Sequence, residues 1–450
     1  MLGLGDTGLS MTRWLARQGA VVSVADTRAS PPCAAQLARD LPQVQLRTGE
    51  FQSPDFSSAE MIAVSPGIDP RVGELAHAIK RGMPVVGDVE LFAQALGSSA
   101  IAAPVIAITG SNGKSTVTAM CAAMCETAGQ DTVMAGNIGV PVLDVLTEIE
   151  TGRRVPDVFV LELSSFQLET TSHLSPAAAT VLNLCEDHMD RYDSFADYGA
   201  AKARIFAGGG AQILNRDDAH SMAMARAYLA VTTFGRSAPH SQQEWGLRGD
   251  GVSQSLAHGE TRLMPVAELP LAGLHNATNA LAAGALCHAV GVPYGAMRRA
   301  LAAFKGLPHR VQKINVINGV EFYDDSKGTN VGATVAALKG LRQRVVLIAG
   351  GDGKGQDFAP LAEAVAASAR AVVLIGRDAE PIARALKNTG VTLSRAGDMM
   401  EAVDAAYRAA RAGDAVLLSP ACASYDMFRN YVHRAEVFGD AVRQLAQRVQ

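Results

Sequence analysis

Short apolar runs rich in β-branched residues alternate along this chain with stretches of helical spacing. The clearest run is VIAIT at residues 105–109, which breaks into the loop GSNG and continues as the helical pattern KSTVTAMCAAMCETAG. Similar runs are AVVSVAD, DVFVLE, AATVLNL, RVVLIAGG, AVVLIG and AVLLSP. Such runs predict buried strands, and strands that alternate with helices predict mostly parallel sheets. We therefore expect an α/β protein.

The length of the chain predicts more than one domain. At 450 residues it exceeds what one hydrophobic core usually holds. We divide the chain at about residues 1–88, 89–304 and 305–450, and Pro308, His309 and Arg310 mark a linker into the third segment. The alternating strand and helix patterns of the third segment predict a second open, mostly parallel sheet.

Composition and charge exclude several classes of protein. The net charge is −4, and no basic stripe indicates a nucleic-acid partner. No apolar run approaches membrane-spanning length, and the start of the chain does not resemble a signal peptide. None of the six cysteines forms a C-x-x-C pair, and Cys121 and Cys125 are expected to be small buried apolar residues. A cytoplasmic protein is expected.

The loop after VIAIT has the composition of a phosphate-binding loop. Gly110 and Gly113 allow backbone N–H groups to turn toward phosphate oxygens, and the following helix start favours an anion. Lys114 supplies a positive charge, and Ser115 supplies a hydroxyl for Mg²⁺. Ile108 stands where the general G-x-x-x-x-G-K-[ST] form has its first glycine. The alternative is a strand-to-helix turn that carries a lysine by chance.

The first segment opens with GLGDTGLS, which fits G-x-G-x-x-G, and Asp26 follows about 20 residues later. Asp26 fits a ribose or base contact, or alternatively a turn before Thr27 and Arg28. Ser65 lies in the tight turn that is expected after the strand MIAV. A Rossmann-type unit has a strand before its glycine loop, yet only two residues precede Gly3, so we expect that strand to be a stub and the natural product to begin upstream.

Three polar residues of the central segment fit more than one role. Glu162 ends an apolar strand, where a carboxylate requires a metal or a cation as partner, and Mg²⁺ is the natural one beside a phosphate loop. His188 follows acidic residues at another strand end and fits either a ligand or a structural histidine. Lys202 lies in a helical stretch and is expected, from its local pattern, to be solvated. Asn276 and Asn279 fit caps of a helix start.

In the last segment, polar residues again follow predicted strands. Asp325, Lys327 and Thr329 follow one strand, and Asp352 and Lys354 follow another. Lysines at strand ends fit an anionic substrate, or alternatively they only solubilise the loops.

Taken together, these stretches resemble the Mur ligases, the ATP-dependent amino-acid ligases of peptidoglycan precursor synthesis. The resemblance covers nearly the whole chain and rests on DTR, SPG, TGSNGKST, GNIG, ELSSFQLE, EDHMDRY, YGAAKARI, LHNATNA, PHRVQ, DDSKGTN, GGDGKGQDF and SPACASYD, in this order. It implies three α/β domains: a Rossmann-like unit for a UDP-linked substrate, a central ATPase, and a Rossmann-like unit for the amino acid.

The resemblance also implies roles. ATP phosphates would lie on Gly110, Ser111, Asn112, Gly113, Lys114, Ser115 and Thr116, and the rest of ATP on Asn279, Arg310 and Asp325. Two Mg²⁺ ions would be held by Ser115 and Glu162, and by His188 and a carbamylated Lys202. The UDP-muramoyl substrate would contact Asp6, Thr7, Asp26, Thr27, Ser65, Asn137 and His188. D-Glutamate would be held by Lys327, Thr329, Lys354, Ser424 and Tyr431, the last standing where phenylalanine is common.

The implied reaction adds D-glutamate to UDP-N-acetylmuramoyl-L-alanine at the expense of ATP, by a monomeric enzyme. Two other functions fit parts of the sequence. A nicotinamide-dependent oxidoreductase would use the opening glycine motif, but it leaves the phosphate loop and the third sheet without a role. A folylpolyglutamate-type ligase is closer, but that family usually has glycine after the loop lysine, where this chain has Ser115.

Overall fold

The computed structural model describes residues 1–98, 101–271 and 273–449. Four groups of paired strands form three successive α/β units, which confirms the predicted class. Within the described residues, no helix is both long and apolar enough to cross a membrane.

The first unit contains two pairs of short parallel strands, and a single residue, Leu2, bridges the two pairs. The strands are β1 (Ser23–Asp26), β2 (Gln45–Thr48), β3 (Ile62–Ala63) and β4 (Val85–Val86), and the helices are α1 (Asp6–Arg17), α2 (Ala34–Asp40), α3 (Pro54–Ser57) and α4 (Gly73–Lys80). Leu2 forms parallel bridges to Ala25 on one side and to Val64 on the other. Leu2 therefore occupies the place of a central strand between β1 and β3.

The tight start of α1 depends on a glycine. A Cβ at Gly8 would lie 1.9 Å from the carbonyl oxygen of Gly3. Only glycine allows this close approach of the helix to the loop before it, which explains the third position of the glycine motif.

The central unit is built on a nine-stranded sheet in the order β13-β12-β11-β10-β9-β8-β5-β7-β6. Its strands are β5 (Val105–Thr109), β6 (Thr132–Gly136), β7 (Val158–Glu162), β8 (Ala178–Val181), β9 (Ala211–Asn215), β10 (Val231–Phe234), β11 (Glu244–Arg248), β12 (Ser255–His258) and β13 (Thr261–Pro265). Pairing is parallel except in the hairpins β11–β12 and β12–β13. Every residue of β5 is buried, because helices cover both faces of the sheet.

The helices of this unit are α5 (Asp88–Ser98), α6 (Lys114–Thr127), α7 (Val142–Glu150), α8 (Ser165–Glu169), α9 (Phe195–Ala203), α10 (Ala219–Ala223), α11 (Leu274–Ala289) and α12 (Tyr294–Ala303). Short 3₁₀ turns lie at Arg204–Phe206, Gly251–Ser253 and Val266–Glu268. Cys121 and Cys125 are fully buried in α6, as predicted.

The third unit is a six-stranded sheet in the order β14-β15-β19-β16-β17-β18. Its strands are β14 (Gln312–Ile317), β15 (Val320–Asp324), β16 (Val345–Gly350), β17 (Ala369–Ile375), β18 (Thr392–Arg395) and β19 (Ala415–Leu418). Its helices are α13 (Val331–Gly340), α14 (Leu361–Ser368), α15 (Ala379–Leu386), α16 (Met399–Ala409) and α17 (Tyr431–Val449). Only the edge pair β14–β15 is antiparallel. The carboxyl ends of its parallel strands carry the turns that meet the central unit.

Candidate active site

The phosphate loop connects β5 to α6, as its sequence predicts. Gly113 has φ 85° and stands at the helix start. A Cβ on it would lie 2.7 Å from Asn279 Oδ1. The loop is held in shape by Asn112, whose N–H donates to Asn183 Oδ1 at 2.9 Å, and by Ser111, whose hydroxyl donates to the Cys185 carbonyl at 2.9 Å.

Lys114 folds back over its own loop. Its Nζ donates to the carbonyl oxygens of Gly110, at 2.9 Å, and Ser111, at 3.0 Å. Burial lowers the pKa of Lys114, and the carboxylates of Glu162 and Asp187 act in the opposite direction. The side chain of Lys114 is therefore held against its own loop by these two hydrogen bonds.

A lysine of the third unit reaches the same loop. Lys327 Nζ donates to Ser115 Oγ at 2.9 Å. Burial lowers the pKa of Lys327 to about 8, and the nearby charges of Arg310 and Lys114 act in the same direction. Lys114 and Lys327, from two units, therefore lie at the phosphate loop, with Arg310 close by. Such clustered basic side chains provide the electrostatic environment that a chain of phosphates requires.

Glu162 is the carboxylate of this site. Its side chain is 1% exposed, and its Oε1 accepts a hydrogen bond from Asn137 Nδ2 at 2.8 Å. Its Oε2 is buried and has no hydrogen-bond partner among the described residues. A buried carboxylate oxygen without a hydrogen-bond partner, on the strand that pairs with β5, fits Mg²⁺, which prefers oxygen ligands. The described residues contain no group of three or more His, Cys, Asp or Glu side chains arranged for a metal.

His188, Asp187 and Lys354 form a second cluster between the units. His188 lies 3.7 Å from an Asp187 oxygen, and burial lowers its pKa to about 4. Lys354 of the third unit forms an ion pair with Asp187. Burial works to raise the pKa of Asp187, but the positive charges of Lys354 and His188 outweigh it and lower that pKa to about 2.

Lys202 is buried, so its expected solvated position is wrong. It is 2% exposed, and its Nζ donates to the Gly110 carbonyl at 3.0 Å and to Thr109 Oγ1 at 3.3 Å. The Nζ also lies 4.7 Å from the centre of the Tyr198 ring. Burial lowers the pKa of Lys202 well below its usual value, and the Lys114 charge adds to this effect. Helix α9 brings it to the phosphate loop, which its local pattern did not indicate.

A cavity of about 610 Å³ opens beside the loop, between the central and third units. Asn112, Gly113, Asn279, Arg310 and Asp325 all line it. The expected capping role of Asn276 and Asn279 is wrong, because α11 already begins at Leu274.

Asp325 lies at the wall of this cavity. It accepts hydrogen bonds from the Ser419 hydroxyl, at 2.7 Å, and from the Val311 N–H, at 3.3 Å. Burial raises the pKa of Asp325 to about 7, although the Ser419 hydrogen bond opposes the change.

The remaining residues predicted in the third unit lie in the turns after β15, β16 and β19 and at the start of α17. The Thr329 N–H donates to the Lys327 carbonyl at 3.0 Å, and Lys327 Nζ lies 5.4 Å from the centre of the Tyr431 ring. Ser424 is buried in the turn after β19. Lys327, Thr329 and Tyr431 are thus brought together, while Lys354 is held at Asp187.

The predicted residues of the first unit lie in the first turn of α1 and at or just after the ends of β1 and β3. Asp26 accepts from the Leu4 N–H at 2.6 Å and from both the backbone and the guanidinium of Arg28. Both of its carboxylate oxygens are therefore used within the first unit, as the turn interpretation predicts. Asp6 and Thr27 are exposed, whereas Thr7 and Ser65 are half-buried.

The sequence did not point to two arginines that the structure places in contacts between segments distant in the chain. Arg191 donates to the carbonyl oxygens of Pro66, at 3.1 Å, and Ile68, at 3.2 Å, and to Glu169 at 2.6 Å. Arg434 is fully buried in α17. The sequence carried a signal for the second: Arg434 stands four residues before Phe438 on the apolar face of its helix.

A nucleotide-sized cavity beside a phosphate loop, lysines from two units and an unpartnered buried carboxylate define an ATP-dependent ligase of three α/β units. The patterns of the Mur ligase MurD-like N-terminal domain, the Mur ligase middle domain and the Mur ligase glutamate ligase domain match residues 1–87, 108–287 and 309–422. The chain belongs to the Mur ligase family, whose members are ATP-dependent and form a C–N bond.

Its relatives narrow the class to one kind of ligase. The "UDP-N-acetylmuramoylalanine--D-glutamate ligase" of Thiobacillus denitrificans is 58% identical over 463 residues, covering 100% of this chain and 97% of the relative. The enzyme of the same name from Methylobacillus flagellatus is 58% identical over 448 residues, with the same coverage.

Solved structures share the fold at low sequence identity. MurF from Acinetobacter baumannii superposes with a TM-score of 0.62 at 18% identity, covering 85% of this chain and 91% of that one. The UDP-N-acetylmuramate-alanine ligase MurC from Thermotoga maritima gives 0.60 at 18% identity, covering 99% and 98%.

Proposed function

We propose that this chain adds D-glutamate to UDP-N-acetylmuramoyl-L-alanine with the hydrolysis of ATP, in peptidoglycan precursor synthesis. The contact of Lys327 with Ser115 carries the proposal, since it places a third-unit lysine at the phosphate loop of the central unit. The names and full-length similarity of the relatives supply the substrates. The reaction would take place in the cytoplasm, where ATP and UDP-linked precursors occur, with the chain as a monomer.

We assign one substrate to each unit. Residues 1–88 would bind the UDP end through Asp6, Thr7, Asp26, Thr27 and Ser65. Residues 89–304 would bind ATP, and residues 305–450 would bind D-glutamate. Asn137 and His188 would receive the muramoyl-alanine end, because Asn137 lies beside Glu162 and His188 lies beside the Phe166 ring at 4.7 Å.

ATP would lie along the phosphate loop and in the cavity of about 610 Å³. Residues 110–116 would cradle its phosphates, and Asn279, Arg310 and Asp325 would contact the remainder. Ser115 and the free Oε2 of Glu162 would hold one Mg²⁺, and His188 with Lys202 would hold a second. Bound Mg²⁺ neutralises phosphate charge and polarises the transferred phosphoryl group.

Lys202 fits a carbamylated lysine. In carbamylation, a neutral amine adds to CO₂ and loses a proton, and burial lowers the pKa of Lys202 toward the neutral form. The product is a carboxylate, which would turn a buried cation beside Lys114 into an oxygen ligand suited to a hard metal.

The chemistry must first activate a carboxylate, because oxide is not a leaving group in water. The L-alanine carboxylate would attack the terminal phosphoryl group of ATP, which gives an acyl phosphate and releases ADP, while Lys114 and Lys327 stabilise the charge on the transferred group. The amine of D-glutamate would then attack the carbonyl carbon, and phosphate would leave from the tetrahedral intermediate. Loops from two units would hold the reacting groups close together.

We assign D-glutamate to Lys327, Thr329, Lys354, Ser424 and Tyr431. Lys354→Ala and Ser424→Ala are each expected to raise the KM for D-glutamate and to leave the KM for ATP nearly unchanged. An effect on the ATP KM alone would move these residues to the nucleotide site.

The test is phosphate release from ATP with UDP-N-acetylmuramoyl-L-alanine, screened against D-glutamate, L-glutamate, L-alanine and diaminopimelate. Release only with D-glutamate is the expected result. Release with another amino acid would favour a different Mur ligase. Equilibrium dialysis with NAD and with the UDP substrate tests the oxidoreductase alternative, and NAD binding alone would contradict the proposal.

A further inference from the structure

Arg434 is a buried cation without a carboxylate partner. It is 0% exposed in α17, and it makes no ion pair within the part of the chain that the structure describes. Burial lowers its pKa to about 10, so it stays charged at neutral pH. An unpaired buried charge is costly unless hydrogen bonds compensate for it.

Among the described residues, hydrogen bonds to two segments compensate for this charge, and the more distant carboxylates of Asp426, Asp324 and Asp325 add to the compensation. Arg434 Nε donates to Ser326 Oγ at 3.1 Å, and its Nη2 donates to the Ser326 carbonyl at 2.8 Å. Its Nη1 donates to the carbonyls of Cys422, at 3.1 Å, and Ala423, at 3.2 Å. The planar guanidinium thus fixes the distance between the turn after β15 and the turn after β19.

A third turn is attached to the same point. Ala423 and Asp352 exchange backbone hydrogen bonds of 3.0 and 2.7 Å, and Gln356 Nε2 donates to the Ala421 carbonyl at 2.8 Å. The turn that carries Lys354 is therefore tied to the segment that Arg434 holds.

We propose that Arg434 is a positioning residue of the amino-acid subsite, which sets Lys327, Ser424 and the Lys354 turn at the spacing that the two carboxylates of glutamate require. Ser326 directly precedes Lys327, and Ala423 directly precedes Ser424. The inference rests on the proposed function. Arg434 would act through Ser326, Cys422 and Ala423 and would not contact the substrate itself. The packing of α17 is supplied separately by Phe438, Val442 and Leu445.

The test compares Arg434→Met, which removes all four hydrogen bonds, with Arg434→Lys, which keeps the charge but loses the planar fork. Arg448→Met is the matched control, because Arg448 lies on the same helix in an exposed ion pair with Asp404. The KM values for D-glutamate, ATP and the UDP substrate are measured for each variant, together with the melting temperature. Hydroxylamine trapping of the acyl phosphate, without glutamate, reports the first step alone.

We expect Arg434→Met to raise the KM for D-glutamate at least about tenfold, which is the loss of about 1.4 kcal/mol of binding. The other two KM values should stay within about twofold. Trapping should slow less than product formation does, because only Lys327, of the three positions that Arg434 sets, also serves the transferred phosphoryl group. Arg434→Lys should recover part of the loss, and Arg448→Met should behave as wild type.

An unchanged KM for D-glutamate, or a rise in all three KM values together, would overturn the proposal. Failure of both Arg434 variants to fold would also overturn it, since the residue would then serve the fold as a whole. A wild-type protein that traps an acyl phosphate but makes no product with D-glutamate would instead contradict the proposed function.

Discussion

Lys327 of the third unit and Ser115 of the central unit are joined by a hydrogen bond of 2.9 Å between Nζ and Oγ. The two residues are 212 positions apart in the chain. Their contact exists only when the two units lie against each other, and it places the lysine beside a hydroxyl that we assign to the ATP site. Catalysis that requires Lys327 is therefore coupled to the arrangement of the units.

We expect Lys327→Met to lower kcat at least about a hundredfold, because one charged contact to the transferred phosphoryl group is worth about 3–4 kcal/mol. ATP affinity should change little, since the phosphate loop stays intact. Lys339→Met, at an exposed position of α13, is the control. Steady-state kinetics measure kcat, and titration with ATP measures its affinity. If Lys327→Met kept half of the wild-type turnover, the role of Lys327 in phosphoryl transfer would be refuted.

Lys114→Ala is expected to abolish ligation for the same electrostatic reason, at a cost of about 3–4 kcal/mol in the transition state. Binding of the UDP substrate should be nearly intact, because we assign it to the first unit. Calorimetric titration with that substrate and a phosphate-release assay separate the two effects. If the Lys114→Ala variant kept most of its turnover, the assignment of Lys114 to the phosphate site would be wrong.

Lys202→Ala should be nearly inactive if the native residue is carbamylated, and a short carboxylic acid such as acetate should restore part of the activity by replacing the lost carboxylate. Lys387→Ala, at an exposed site, should show neither effect. Mass spectrometry and a high-resolution map of the native protein test the modification directly. An unmodified lysine together with no rescue would contradict it.

Arg191→Ala is expected to raise the KM for the UDP substrate about tenfold and to leave the KM for ATP unchanged. Its guanidinium holds the Pro66 and Ile68 carbonyls of the first unit against Glu169 and the Phe166 ring of the central unit, 4.0 Å away. Arg153→Ala removes only an exposed ion pair with Glu148 and serves as the control. Equal effects on both substrates would indicate a general loss of stability.

Asp26→Asn should lower the free energy of unfolding of the first unit in a pH-dependent way. The hydrogen bond from Arg28 is the main cause that lowers the pKa of Asp26 to about 2, supported by the Leu4 N–H and opposed by burial. Because the folded pKa lies below the unfolded value, this stabilisation is present above about pH 4 and is lost as the pH falls toward 2.

Since Arg28 is half exposed, we expect a difference of only about 1–2 kcal/mol between the wild type and Asp26→Asn at pH 6. Urea unfolding from pH 3 to 7 measures it. A difference that does not shrink below pH 4 would show that the ion pair is not its source.

The amino-acid sequence by itself determined the class of fold and the place of the phosphate loop. Both are local: VIAIT is apolar because β5 is covered on both faces, and Gly113 is glycine because its φ of 85° and the nearby Asn279 leave no room for a side chain. The ordered motifs also indicated the family. The strands β9 to β13 were not predicted individually. Of these, β10 and β13 are only partly buried and carry no continuous apolar run.

Tertiary structure decided the environment of the charged residues. The pattern around Lys202 looks solvated, yet α9 packs it beneath Gly110, and the resulting burial lowers its pKa. Asp187 meets Lys354, and Arg434 meets Ser326, across 167 and 108 positions of the chain. The burial, charge and hydrogen bonds of such residues depend on partners that are distant in sequence, so only the folded chain fixes them.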